Sequence, residues 1–210
     1  MESSHPTPQA NRTALVTGGT SGIGRATALE LARQGLSVAI TGRDETRTQA
    51  AVSWIQQNSR SDDISFLLAD LSRPNEVQAL ARAFLRQHDR LDILVNNAGG
   101  TFGARELTPD GFERTWALNH LAYMGLTLAL LPLLKASAPA RIVNVASGLY
   151  AGKLDFDNLQ GERHFNTGGA YLRSKLANHL FTYVLARRLV GAGVTVNAVN
   201  PGINRYRTRR

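Results

Sequence analysis

The sequence predicts an α/β fold, a doubly wound parallel sheet with helices on both faces, and three observations predict it. Short apolar runs such as Ala14-Leu15-Val16 alternate along the chain with stretches that repeat apolar residues at helical spacing. The first run passes into the first helical stretch through a glycine-rich loop, residues 17–24, Thr-Gly-Gly-Thr-Ser-Gly-Ile-Gly. No internal repeat or interdomain linker interrupts the alternation. Strands in such a pattern pair in parallel through right-handed crossovers, and ligands bind outside their C-terminal ends.

The loop reads as a phosphate cradle. Gly18, Gly22 and Gly24, with Thr20, Ser21 and Ile23 between them, fall in the turn and the first helical turn. Missing side chains there permit a tight bend and let backbone N–H groups and the helix N-terminus approach a pyrophosphate. A glycine cluster alone is weak evidence; the strand before it and the helix after it supply the context that gives it meaning. Gly35 ends the first helix, and residues 37–41, Ser-Val-Ala-Ile-Thr, read as the second strand. At its end an acidic residue would take the adenosine ribose hydroxyls, but the chain has Gly42-Arg43, and a cation there suits a 2′-phosphate. Arg43 therefore favours NADP over NAD. A plain surface arginine is the alternative, and Asp44 beside it suits the N-cap of the next helix.

That helix is predicted over residues 45–58, and the third strand over 64–69, ending at Asp70-Leu71. A helix over 75–87 leads to a fourth strand, 91–95, which ends in Asn96-Asn97-Ala98-Gly99. The small Ala98 and Gly99 leave room for a ligand over the strand end, and Asn97 can bond backbone; a plain turn is the alternative. Asp110 and Gly111 open a long helix over 110–135, with Pro132 near its end, before a fifth strand over 141–146 that carries Ser147 at its C-terminal end. The connection over 148–169 shows little periodicity, and a loop of that length in a compact domain usually serves a function. A helix over 170–190 and a sixth strand over 194–199, followed by Asn200-Pro201-Gly202, complete the series.

A chain of 210 residues supports one domain, assigned to 12–202, between a polar N-terminal tail over 1–11, expected to be disordered, and a basic tail over 203–210. With no cysteine, disulfides, thiolate nucleophiles and cysteine-bound metal are excluded, and no metal is expected. The net charge of +8 raises the question of nucleic acid, but outside the tail the arginines are scattered at solvent-facing helical positions, so none is expected. The N-terminal residues lack the apolar core of a signal peptide, and the longest apolar run, 121–134, falls short of a membrane span. A cytoplasmic protein without an integral membrane segment is the expectation.

Tyr171 and Lys175 lie four apart on a predicted helix and so share a face. A free phenol ionises near pH 10, and a neighbouring ammonium favours its phenolate. Such a pair is common by itself; it matters here because Ser147, at a strand end of the same sheet, can face the same crevice and donate a hydrogen bond to a substrate oxygen.

These residues resemble the short-chain dehydrogenase/reductase family over nearly the whole chain. The resemblance is carried by Thr17-Gly18-x-x-x-Gly22-x-Gly24, Asp70, Asn96-Asn97-Ala98-Gly99, Asn119, Ser147, Tyr171-x-x-x-Lys175 and Pro201-Gly202, in that order. It implies that Tyr171 is the general acid/base, that Ser147 orients the carbonyl, and that Lys175 binds the nicotinamide ribose and assists the tyrosine. It further implies that Asn119 holds a water in a proton relay, Asp70 contacts the adenine, and Asn97 the ribose region. The implied cofactor site takes in Gly18, Thr20, Ser21, Gly22, Ile23, Gly24, Arg43, Asp70, Leu71, Asn97, Ala98, Gly99, Tyr171, Lys175, Pro201 and Gly202. The segment Leu154-Asp-Phe-Asp-Asn-Leu-Gln160 and the separation of 24 between Ser147 and Tyr171 are similar to the retinol-dehydrogenase-like branch. The implied reaction is hydride transfer between NADP(H) and a hydrophobic carbonyl or alcohol, in a protein that pairs through helices 110–135 and 170–190. Family members continue past Pro-Gly with a further helix and a last strand, whereas this sequence ends eight residues later. The expected sheet therefore lacks that strand and leaves 194–199 as an apolar edge. The alternative function is a truncated, non-catalytic dinucleotide-binding remnant acting through interactions.

Overall fold

Strands buried on both faces read as continuous apolar runs, and Thr13–Val16, all four residues buried, forms such a strand, β1. The computed structural model describes residues 12–202, so both expected tails lie outside the described residues. After β1 come α1 (Gly22–Arg33), β2 (Ser37–Gly42), α2 (Glu45–Ser59), β3 (Ile64–Leu68), α3 (Pro74–Gln87) and β4 (Ile93–Asn96). Next, α4 (Arg114–Trp116), a π-helical turn (Ala117–Leu121) and α5 (Ala122–Ala136) run on as one helix. Then follow β5 (Ala140–Val145), a 3-10 turn (Phe156–Asn158), α6 (Thr167–Arg188) and β6 (Val194–Val199).

All six strands are parallel in the order β3-β2-β1-β4-β5-β6. The chain starts in the middle of the sheet and winds outward in both directions, which opens a crevice where the β1 and β4 strand ends diverge. Register pairs Val16 with Val95, so the loops after β1 and β4 meet there. Alternation along each strand splits the core. Ala14, Val16, Val38 and Ile40 pack with Ala28, Ala32, Val52 and Ile55 of α1 and α2, while Leu15, Leu94 and Ile142 pack with Leu80, Phe84, Leu126 and Leu130 of α3 and α5.

Four details differ from the sequence reading. The long helix starts at Arg114, not Asp110, because the buried Glu113 carboxylate accepts from Thr115 N (2.7 Å) and Trp116 N (2.8 Å) and so caps it there. Gly111, at φ +82°, belongs to the turn before it. Helix α6 begins at Thr167 because Asn166 accepts from Gly169 N at 2.6 Å. The helical stretch Arg114–Ala136, 23 residues, does reach spanning length, and its most apolar 18-residue window has a mean hydropathy of 1.5, but half of that window is buried inside the domain, as in a core helix. Strand β6 is an edge among the described residues, yet it is not apolar on both faces: Val194 and Val196 are buried and Thr195 and Asn197 are exposed. The predicted Asp44 cap is present, accepting from Arg47 N at 2.8 Å.

Candidate active site

The loop after β1 is held against the end of β4 from both sides. Thr17 Oγ1 accepts from Asn97 N (2.8 Å) and Ala98 N (3.0 Å), and Asn97 Nδ2 donates to Thr17 O (2.8 Å) and Gly18 O (3.3 Å). Gly18 sits at φ +65°, and a Cβ on it would lie 2.9 Å from Ala98 Cα, so only glycine allows the loop this close. The Asn97 amide Nδ2 thus shapes the loop while the residue lines the cleft.

A cleft of about 620 Å³ runs along the strand ends from this loop. Gly18, Thr20, Ser21 and Ile23 line it beside Arg43, Asp70 and Leu71; Asn97, Ala98 and Gly99 form its middle; Tyr171, Lys175 and Pro201 line it as well. Gly22 and Gly24 stand behind this surface in the first turn of α1. Gly202 follows Pro201 at φ +77°, its N–H donating to Asn200 Oδ1 at 3.1 Å.

Asp70 is fixed before any ligand arrives. Its Oδ1 accepts from Ser72 N (3.0 Å) and Ser72 Oγ (2.7 Å), while its own N–H donates to Glu76 Oε2 (2.6 Å). Burial opposes its ionisation, but the Ser72 hydrogen bonds and the charges of Arg43 and Arg114 outweigh that and hold the carboxyl below its ordinary value.

At the chemical end, Lys175 Nζ donates to Val145 O at 2.8 Å and lies 5.6 Å from the centre of the Tyr171 ring. Burial pushes its ammonium down to about 8. Ser147 follows β5 after Ala146, next to cleft-lining Val145 and Ala146 but not itself among the lining residues; its Oγ accepts from Leu149 N at 3.0 Å, which leaves the hydroxyl hydrogen for another partner. Asn119 is fully buried in the π-helical turn. Its side chain accepts from Gly100 N (2.9 Å) and donates to Gly100 O (3.0 Å) and Ser174 Oγ (3.1 Å), while its carbonyl accepts from Asn178 Nδ2 (2.9 Å). Asn119 therefore stands behind the cleft wall and clamps it. Asn178 Oδ1 also accepts from His120 Nδ1 at 3.0 Å, so one amide holds two residues of the π turn, a feature frequent at functional sites.

A family model described as short chain dehydrogenase matches residues 12–209. The chain belongs to that family. It is 46% identical over 197 residues to Retinol dehydrogenase 12 of Bos taurus, covering 93% of this chain and 62% of that protein. It spans about three fifths of the length of the curated relatives it matches. Among solved structures, it is similar to the Pseudomonas aeruginosa RhlG/NADP active-site complex, with a TM-score of 0.74 and 34% identity over 91% of this chain and 72% of that one. A metagenomic short-chain oxidoreductase in complex with NADP gives a TM-score of 0.76 and 29% identity over 93% of this chain and 84% of that one.

The cleft is also lined by residues that the sequence did not single out. Arg47 lines it beside Arg43, and Phe102 and Arg114 line it together, the guanidinium 4.2 Å from the ring centre. Arg47 was findable, since the Asp44 cap fixes where the first turn of α2 begins. Phe102 was not, because the loop after β4 has no periodicity to orient it, nor was Arg114, because the sequence placed the helix start at Asp110 and so misplaced its first turn.

Proposed function

We propose that this chain is the working core of an NADP-dependent oxidoreductase acting on a carbonyl or alcohol carbon of a hydrophobic substrate. The carrying observation is that one cleft holds both pairs: Arg43 and Asp70, and Tyr171 and Lys175. The residues fit a dinucleotide: the glycine loop presents backbone where side chains cannot fit, and Arg43 and Arg47 offer cations for a 2′-phosphate with Asp70 pre-oriented beside them. The two NADP complexes among similar structures support that choice.

Bound NADP(H) would supply or take up the hydride. Tyr171 donates its phenolic proton to the carbonyl oxygen in the reducing direction, and Ser147 donates a hydrogen bond to the same oxygen. The Lys175 ammonium near the Tyr171 ring stabilises the charge left behind. Positioned proton transfer of this kind contributes about 10²–10⁴-fold. Exposed Leu149, Tyr150 and Phe156, in the connection after Ser147, support an apolar substrate. Exposed Leu128, Leu180 and Tyr183 support pairing through α5 and α6.

Thermal unfolding of the full chain with NADPH and with NADH at equal concentration tests the reading. NADPH at 100 times its dissociation constant should add about 2.7 kcal/mol of stability. The expected result is a larger shift with NADPH, lost in Arg43→Ala; equal shifts would reject the NADP assignment. Binding without reduction of any apolar carbonyl would favour the non-catalytic remnant.

A further inference from the structure

We propose that His179 is a positioning residue for Ser147, holding the peptide that carries the serine hydroxyl at the edge of the cleft. The proposal rests on the reading that Ser147 contacts the substrate oxygen. His179 lies one helical turn beyond Lys175 on α6, so the two side chains share a face. Its Nε2 is 3.0 Å from Ser147 O. A carbonyl oxygen only accepts, so Nε2 carries the hydrogen and the neutral ring is the Nε2–H tautomer.

Three successive residues at the end of β5 are then pinned one by one. Val145 O takes the Lys175 ammonium at 2.8 Å, Ala146 N–H donates to Val199 O at 2.9 Å, and Ser147 O takes His179. Ser147 Oγ is oriented within its own turn by Leu149 N, but that bond ties the turn only to itself. The His179 bond anchors the turn to α6, the helix that carries Tyr171 and Lys175. Beyond it, Gly148 passes so near Asn200 that a Cβ would fall 2.5 Å from Nδ2, which limits the turn from the other side. The imidazole in turn meets two tilted rings, Tyr150 at 4.8 Å and Tyr183 at 6.3 Å between centroids.

Two variants of the full chain separate the hydrogen bond from the ring stack. His179→Phe keeps an aromatic ring and loses the donor; His179→Gln keeps an N–H at the Nε2 position and loses the ring. With an apolar aldehyde and NADPH, Phe should lower kcat about tenfold, the worth of one hydrogen bond of ordinary strength, with the NADPH Kd unchanged. Gln should stay within about twofold of the parent, since it restores that same bond. Long-range proton–nitrogen NMR of the imidazole should show the Nε2–H tautomer. An active parent chain with the Nδ1–H tautomer, a Phe variant as active as the parent, or equal losses in both variants would overturn the proposal alone. A parent chain without turnover would instead overturn the functional reading on which it rests, while the tautomer still decides whether the bond exists.

Discussion

Replacing Lys175 with Met should change how the stability of the fold depends on pH. Lys175 is 5% exposed, and burial alone lowers its ammonium from 10.5 to about 8. The unfolded chain keeps the ordinary value, so between the two the unfolded state holds a proton that the folded state has released. Stability therefore rises with pH across that window, from the full cost below about 8 to none above 10.5. At about 1.4 kcal/mol per pH unit, a gap from 10.5 to about 8 amounts to roughly 3 kcal/mol. Methionine keeps an unbranched side chain, one atom shorter, loses the bond to Val145 O and contributes no such dependence. Urea denaturation of both proteins from about pH 7 to about pH 10.5 measures it, because the difference between them cancels every other titrating group. The parent should gain on the variant by about 3 kcal/mol over that range. A flat difference would refute the argument, since it would mean that the ammonium is as well solvated folded as unfolded. Under the proposed function, the cost at neutral pH is one the fold carries for chemistry: a desolvated cation near Tyr171 would be worth more to a developing phenolate than one in water.

Two further substitutions probe the scaffold of the site. Gly24→Ala would drive a Cβ into Gly18 O and Asn97 Nδ2, and it should weaken NADPH binding at least tenfold with about 1–3 kcal/mol of destabilisation, read by nucleotide fluorescence and denaturation. Asn178→Ala strips partners from Asn119 O and His120 Nδ1, both buried, and should lower stability by about 3 kcal/mol in the same denaturation assay.

The sheet was legible because each strand is a short apolar run and each helix repeats at its own period, so Ala14-Leu15-Val16 and Ser37-Val-Ala-Ile-Thr41 announce themselves locally. Tyr171 and Lys175 were legible as a pair for the same reason: helical spacing fixes their common face. What the sequence hid depends on contacts far apart in the chain. Asp110 and Gly111 looked like a helix start, yet Glu113 is the cap, because the turn ahead of it folds back to pair Leu107 with Glu113. The partners of the Asn119 side chain, Gly100 and Ser174, lie 19 and 55 residues away, so its place behind the cleft wall has no local signature. The bond from His179 to Ser147 spans 32 residues and has no local signature at all. The polar residues of β6 were written in Thr195 and Asn197, which alternate with buried Val194 and Val196 along the strand read as an apolar edge.

The most direct test of the central claim is single-turnover reduction of an apolar carbonyl by the full chain loaded with NADPH, compared with Tyr171→Phe. Phenylalanine keeps the ring and removes only the phenolic hydroxyl, and with it the transferable proton. The account predicts unchanged NADPH affinity and a rate at least about 10²-fold lower in the variant, the low end of what a positioned acid contributes. Equal rates in the two proteins would contradict the assignment of Tyr171 as the proton donor.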